Sequence, residues 1–376
     1  MMNKDPISDV EFRRRLLIGL NAADCITRAS LCRLAGQMDL WWGSKASSHP
    51  ALALRLGVPT EQLSKVQDLL PRAESLAEAE IRRAEAEGCW IVTRDEVTYP
   101  RVLLDHPLPP PVLYGRGEIP LDTAVAMVGS RKMNAYGQRV AEHFARRLAA
   151  SGVTVVSGFA RGVDTVAHRS ALEAGGRTVA VLGCGIDVDY PRSSRKLATA
   201  IEGHGALVTE FAFGVEPRPW HFPIRNRVIA ALSAGTLVVQ AAPRSGSLIT
   251  AHLALDLGRE VWAVPGSVFE PLCRGTNDLI ADGAAIVREP DDILLSLSMT
   301  RSLGLLPEAL EEEVVRKRPQ GMAGRLLGVL GAEEALPAEE LADRLAEPVD
   351  RILAILLELE LEGWVEREPG PLYRRR

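Results

Sequence analysis

Between residues 124 and 287 the chain alternates short unbroken apolar runs with longer segments whose apolar positions recur at helical spacing. The runs Ala124–Val128, Val153–Ser157, Thr178–Leu182, Ala206–Thr209, Thr236–Gln240, Val261–Val264 and Ala285–Val287 read as strands. The segments Gln138–Ala150, Val163–Ala174, Ser193–His204, Ile224–Leu232, Leu248–Leu257 and Asn277–Asp282 read as helices. Val/Ala/Leu runs without polar alternation are what a parallel sheet shows when helices cover both of its faces. The pattern therefore predicts an α/β fold with a Rossmann-like, doubly wound, mostly parallel sheet.

The flanks follow other rules. Val10–Leu20, Ile26–Ala35 and Thr60–Glu87 read as helices, broken by Gly36, Gly43, Pro50, Gly57 and Pro59. Trp41 and Trp42 read as core or interface aromatics rather than a stacking platform. Tyr99-Pro100 and the prolines of Leu108 to Pro111 mark an extended connector, and Val112-Leu113-Tyr114 a short strand ended by Gly115 and Gly117. Beyond Asp291-Asp292 the periodicity fades, and Glu311-Glu312-Glu313 beside Arg316-Lys317-Arg318 reads as part of a linker. Ala323–Leu330, Ala338–Leu345 and Val349–Leu361 are helical; Trp364–Glu368 and Leu372–Arg374, joined by a Pro-Gly-Pro turn, form a hairpin. Three helices and a wing make a winged-helix order. The third helix carries Asp350, Glu358, Glu360 and Glu362 against Arg351. Acid on a groove-reading helix repels phosphate, which favours protein interaction or packing over duplex reading. The chain thus divides into a helical domain (1–85), a Rossmann-like domain (86–298), a linker (299–321) and a winged-helix-like domain (322–376).

No apolar run approaches the roughly 20 residues of a membrane span, and the N-terminus has no apolar signal core. Five scattered cysteines make no metal spacing and read as reduced thiols, so a cytoplasmic protein is expected. The net charge of −5 hides an asymmetry: Val125 to Ser245 holds 15 Lys/Arg and 8 Asp/Glu. A basic centre between acidic appendages suits an anionic ligand.

The chemistry lies in the loops after the strands, where open α/β sheets bind ligands. The first loop offers Gly129, Ser130 and Arg131; the second Ser157, Gly158, Ala160, Arg161 and Gly162, leading to Asp164 and His168. Gly183 and Gly185 follow the third strand; Glu210 follows the fourth, with Arg218, Phe222, Arg225, Asn226 and Arg227 beyond it. Arg244, Ser245, Gly246 and Ser247 follow the fifth. Glycine lets backbone approach a phosphate, and arginine binds it bidentately. Phe222 among arginines is a pairing used to stack and clamp single-stranded bases, though Arg225 and Arg227 also fit solvated charges at a helix end. Gly183 and Gly185 fit tight turns as well as a site. Asp164 and His168, four residues apart, read as a local helix pair that orients the 157–161 loop, and Tyr190-Pro191 as a structural turn. A dinucleotide fingerprint, a Walker lysine, a metal set and a Ser-His-Asp constellation with convincing spacing are all missing, so no cofactor and no catalytic residue is assigned.

These motifs, in this order, resemble the DprA/Smf family. The match runs through Tyr99-Pro100, Pro111 to Gly117, Gly129-Ser130-Arg131 with Tyr136-Gly137, Ser157 to Asp164 with Ala167-His168, and Gly183-x-Gly185 with Tyr190-Pro191. It continues through Phe222 to Arg227, Gly246 to Thr250, Gly258-Arg259, Pro265-Gly266 and Gly275 to Ala284. The resemblance implies a SAM-like helical domain in front and a winged helix behind. It implies a non-enzymatic, single-stranded-DNA-binding recombination mediator, which protects incoming strands in natural transformation, helps load RecA and works as a homodimer. Arg131 would lie in the basic pocket, with the 157–162 loop, Phe222, Arg225 and Arg227 along it. Pro219 stands where the family usually has a basic residue, with Arg218 as its substitute, and Gln240 stands where the fifth strand often ends in Glu. The alternative is a nucleotide or nucleoside-monophosphate hydrolase on the same sheet, similar to lysine-decarboxylase-like phosphoribohydrolases. Arg244 to Thr250 lacks that group's second glycine and its Glu. A dimeric signalling scaffold holding a small nucleotide is a third reading.

Overall fold

The computed structural model describes residues 10–41, 50–120, 123–191, 194–302, 321–330, 335–361, 364–368 and 372–375. They fall into two compact units, Met1–Ala309 and Leu310–Arg376. Trp42, the Pro369-Gly370-Pro371 turn and the charged stretch 311–318 lie outside the described residues, as does the side chain of Trp41.

The first unit opens with five helices, α1 (Val10–Ala22), α2 (Arg28–Gly36), α3 (Met38–Trp41), α4 (Pro50–Leu56) and α5 (Thr60–Ala86). Thr27 caps α2 by accepting from the Ser30 amide. Leu16, Leu17 and Leu20 of α1 are buried with Leu63, Val66, Ala73 and Ala77 of α5. The same apolar cluster takes in Tyr114, Leu207 and Phe211, so these helices pack directly on one end of the sheet.

That sheet has nine strands: β1 (Trp90–Thr93), β2 (Val112–Gly117), β3 (Ala124–Val128), β4 (Thr154–Ser157), β5 (Thr178–Val181), β6 (Gly205–Thr209), β7 (Gly235–Val238), β8 (Glu260–Ala263) and β9 (Ala285–Ile286). Their spatial order is β1-β2-β6-β5-β4-β3-β7-β8-β9. β6 through β9 run parallel, while β2 and β1 add an antiparallel edge. Helices α6 (Ala135–Ala150), α7 (Val163–Glu173), α8 (Arg195–Glu202), α9 (His221–Ala231), α10 (Gly246–Asp256), α11 (Arg274–Ala281) and α12 (Pro290–Ser302) complete the unit. In β3, Val125 and Met127 enter one apolar cluster while Ala124, Ala126 and Val128 enter the other. Successive side chains of a strand point to opposite faces, so an unbroken apolar run is the signature of a strand covered on both sides.

Two elements differ from the sequence expectation. β1 pairs Ile91 with Tyr114 and Val92 with Leu113, extending the sheet by a strand. Its four residues sit between a charged helix and a proline connector, too short for a period to show. α12 continues to Ser302, where fading regularity had suggested a linker from 299. Pro290 fits the first turn of a helix, and the Asp292 carboxylate accepts from the Arg288 amide at 2.8 Å. Ile293 and Leu297 bury the inner face of α12. No helix among the described residues is long and apolar enough to cross a membrane.

The second unit contains α13 (Gly321–Val329), β10 (Leu336–Pro337), α14 (Ala338–Leu345), α15 (Val349–Leu361), β11 (Val365–Glu368) and β12 (Leu372–Arg375). Its small sheet has the order β10-β12-β11, with β11 and β12 as the hairpin. Leu327, Leu341, Ile352, Leu356 and Leu359 form its core. This is a winged-helix arrangement, and the outer face of α15 shows Asp350, Leu353 and Leu357 to solvent.

Candidate nucleic-acid interface

The chain steps from β3 to β4, β5 and β6 in one direction, then returns to place β7 on the other side of β3. The loops after β3 and β7 therefore diverge, and an open α/β sheet has its natural crevice at such a switch point. Here the crevice is a cleft of about 820 Å³. Gly129, Ser130, Arg131 and Lys132 line it from the first loop, Ala160 and Asp164 from the second. Pro217, Pro219, Phe222, Pro223, Arg225 and Asn226 come from the approach to α9 and its first turns, and Ser245, Gly246, Ser247, Ile249 and Thr250 from the start of α10. Tyr190 and Leu272 also line it.

The loops are tied to one another. The Ser130 amide donates to the Gln240 carbonyl at 2.7 Å, and the Val163 amide donates to the Ser130 carbonyl at 3.2 Å. Gly162 holds φ at 85°, and a Cβ there would sit 2.2 Å from the Ser130 carbonyl oxygen. Only glycine lets the second loop turn so closely beneath the first. The Gln240 amide group joins in: its nitrogen donates to Asn134 at 3.1 Å, and its oxygen accepts from the Asn134 amide at 3.3 Å. Asn134 in turn caps α6 by accepting from the Gly137 amide at 3.0 Å.

The floor is made of buried charge. Arg225 is only 4% exposed, and its guanidinium donates to the carbonyls of Gly158 and Val181 and to the Asn226 side chain. Burial lowers its pKa to about 10, so it remains a cation at neutral pH. Asp164 accepts from the Ala160 amide at 3.2 Å. Burial raises its pKa, and Arg225 opposes that rise. A Cβ at Gly158 would lie 2.7 Å from Arg225 Nη2 and 2.8 Å from Asp164 Oδ2, so this glycine makes room for both groups. His168 does not pair with Asp164. It turns inward to Thr178 Oγ1 at 2.6 Å and packs beside Phe159. Burial, assisted by Arg225, lowers its pKa to about 3.

The rim is different. Arg131 and Lys132 are exposed, and the Arg131 guanidinium sits 4.9 Å from the centroid of the Phe222 ring. Arg244 is exposed at φ 66°, a region an arginine rarely occupies.

Of the residues singled out in the sequence, the structure brings Gly129, Ser130, Arg131, Ala160, Phe222, Arg225, Asn226, Ser245, Gly246 and Ser247 onto the cleft wall. The others stand elsewhere. Ser157 is fully buried and donates to the Met127 carbonyl at 2.6 Å. Gly158 and Gly162 support the walls from behind, as described. Gly183 lies against the edge of Phe222, where a Cβ would come within 2.9 Å of the ring. Gly185 faces the 212–215 turn, its amide donating to Val215 at 2.8 Å. Arg161 and Arg244 are exposed but outside the lining, and Arg218 stands over Trp220 at 5.6 Å. Arg227 is corrected most clearly. It points away from the cleft, pairs with buried Glu210 at 2.5 Å, and reaches Cys32 of α2 at 3.8 Å. A residue two positions from Arg225 lies about 200° further around a helix, so the two arginines cannot share a face. Arg225 is likewise no solvated end charge, being enclosed by carbonyls.

Lys132, Tyr190 and Ile249 went unassigned in the sequence. The Arg131-Lys132 doublet was a usable signal; Tyr190 was hidden by its turn-forming proline, and Ile249 by its apolar type. Among the described residues, no group of three His, Cys, Asp or Glu is placed to hold a metal ion.

Comparison with known proteins places this geometry. Residues 90–298 match the family described as DNA recombination-mediator protein A, and residues 315–371 match the DprA winged helix domain. The chain is 39% identical over 341 residues to protein Smf of Escherichia coli, covering 89% of this chain and 90% of that one. It is 33% identical over 287 residues to DNA processing protein DprA of Bacillus subtilis, covering 73% and 95%. Among solved structures, DprA of Streptococcus pneumoniae superposes with a TM-score of 0.56 at 30% identity, covering 75% of this chain and 92% of that one. DNA processing protein A of Helicobacter pylori, solved for its single-stranded DNA binding mode, gives 0.51 at 29% identity, covering 56% and 96%.

Proposed function

This chain belongs to the DprA/Smf family of DNA recombination mediators, and from that premise we propose that its cleft holds single-stranded DNA as a binding site, without chemistry on the strand. The observation that carries the reading is the division of labour among the arginines. Arg131 is free at the mouth, over an aromatic ring, while Arg225 is locked into the floor. An exposed cation over a rigid cradle binds backbone irrespective of sequence. The hydrolase reading finds less support. The carboxylate that lines the cleft, Asp164, is engaged by the Ala160 amide, and His168 faces the core.

Two further parts of the proposal follow the family. The protein acts on incoming strands in transformation by helping RecA load, and it does so as a homodimer. Supporting self-association, Val268, Phe269 at 92% exposure, Ile286, Leu295 and Met299 are large apolar side chains left exposed, Ile286 on the edge strand β9. Sedimentation of the purified protein tests the dimer, and a monomer at micromolar concentration would remove it. The decisive measurement is affinity for single- and double-stranded oligonucleotides against salt, with RecA filament formation as a second readout. Preference for single strands with a steep salt dependence is expected; equal affinity for duplex would overturn the assignment.

A further inference from the structure

Trp220 stands two residues before Phe222, as the N-cap residue of α9. It is 58% exposed. A tryptophan carries a large apolar surface and is highly buried on average, so an exposed one beside a ligand cleft asks for an occupant. Phe222 is already flanked. Arg131 stands 4.9 Å from its centroid, Arg225 5.8 Å, the Tyr190 ring 5.8 Å, and Gly183 lies against its edge. Trp220 has fewer neighbours. The Arg218 guanidinium lies 5.6 Å from its ring centroid, and His221 meets it edge-on at 6.0 Å. Pro217 and Pro219, on either side of Arg218, line the cleft itself, so this segment runs along the rim. Consecutive Cα atoms are 3.80 Å apart, which puts Trp220 within about 7.6 Å of Phe222 along the backbone. Trp220 itself stands outside the lining, about 200° around the helix from Phe222, so a strand leaving Phe222 reaches it by turning over the rim past Pro219, a span of a few nucleotides.

We propose that Trp220, backed by Arg218, is a base-stacking platform on the rim of the cleft, taking one base of the single strand as it leaves. This rests on the single-stranded DNA reading above. A guanidinium on a tryptophan is held by the ring's electrons, and a base can use the remaining open surface. Stacking is indifferent to base identity because every base has a π face. Arg218 is itself exposed, so a phosphate beside the stacked base can reach it.

The test is a binding series on the full chain with an oligothymidylate and an abasic oligonucleotide of equal length. Trp220→Ala should weaken binding to oligothymidylate about fivefold or more, with the salt slope unchanged because no phosphate contact is removed. Trp220→Phe should restore most of the loss. On the abasic strand the wild type and Trp220→Ala should bind alike. Arg218→Ala, by contrast, should flatten the salt slope by about 0.7. The inference is overturned if Trp220→Ala binds oligothymidylate as the wild type does, or loses equally on both strands. If the wild type itself binds no single strand, the cleft assignment falls and this platform with it. Binding by the wild type with indifference to Trp220 removes the platform alone.

Discussion

The floor and the rim of the cleft use the same side chain for opposite ends. Arg225 at the floor is 4% exposed and satisfied by carbonyls; Arg131 at the rim is exposed and lies over an aromatic ring. A buried guanidinium has exchanged water for fixed partners, so removing it leaves those partners stranded. An exposed one has given up little and can still meet a phosphate. Arginine content alone says a site is basic. Burial says which arginines build the site and which use it.

The sharpest way to break this contrast is at the floor. Arg225→Ala should cost about 3–5 kcal/mol of stability, measured by denaturant unfolding, because it strands two carbonyls and the Asp164 charge. A stable Arg225→Ala protein that merely binds DNA poorly would make floor and rim equivalent.

A second floor effect depends on pH. His168 stays neutral in the fold down to about pH 3, whereas in the unfolded chain it takes up a proton near 6.5. The unfolded state therefore binds more protons in that window, and stability, full above pH 6.5, falls as pH drops through it. Between pH 7 and pH 5 the His168 contribution amounts to about 2 kcal/mol. His168→Asn should remove that part of the decline, and an unchanged pH profile would show that His168 is not held neutral.

At the rim, Arg131→Ala should leave stability within about 0.5 kcal/mol. It should weaken single-strand binding about tenfold across all sequences and lower the salt slope by about 0.7. Loss of stability comparable to Arg225→Ala would erase the distinction from the other side. The smallest effect is expected at Arg244. Its positive φ suits glycine, so Arg244→Gly should change stability by at most about 1 kcal/mol, upward, while single-strand affinity falls only a few-fold. A strong fall would make Arg244 part of the binding surface despite its place outside the lining.

How much of this was legible beforehand depends on period and distance. Runs such as Ala124–Val128 declare a strand covered on both faces because five consecutive apolar residues can be satisfied in few other ways. Trp90–Thr93 and Pro290–Ser302 declare little. One is too short for a period, and the other depends on a cap and a partner surface that only folding supplies. The loops of the cleft were visible as glycine turns after strands, and Gly129 to Arg131 and Ser245 to Ser247 do line it. The roles within those loops were not visible. Nothing local separates Arg225 from Arg227; the difference lies in Glu210, seventeen positions earlier, and in Cys32 on a distant helix. Asp164 and His168 sit at helical spacing yet serve different partners: Asp164 turns to the Ala160 amide of its own loop, His168 to Thr178 on the neighbouring strand β5.

The same helix that separates the two arginines also sets a limit on change. Along α9, Phe222 reaches the cleft, Arg225 the floor, Asn226 the Gly246 carbonyl and Arg227 the N-terminal helices. One residue inserted before Ile224 would rotate everything after it by about 100°, carrying Arg225 off the floor to the side that Asn226 now faces and putting the apolar Ile224 in its place. Loops elsewhere in the fold can lengthen or shorten among relatives with little harm. α9 cannot, so the spacing from Phe222 to Arg227 should vary less among relatives than the residue types that fill it.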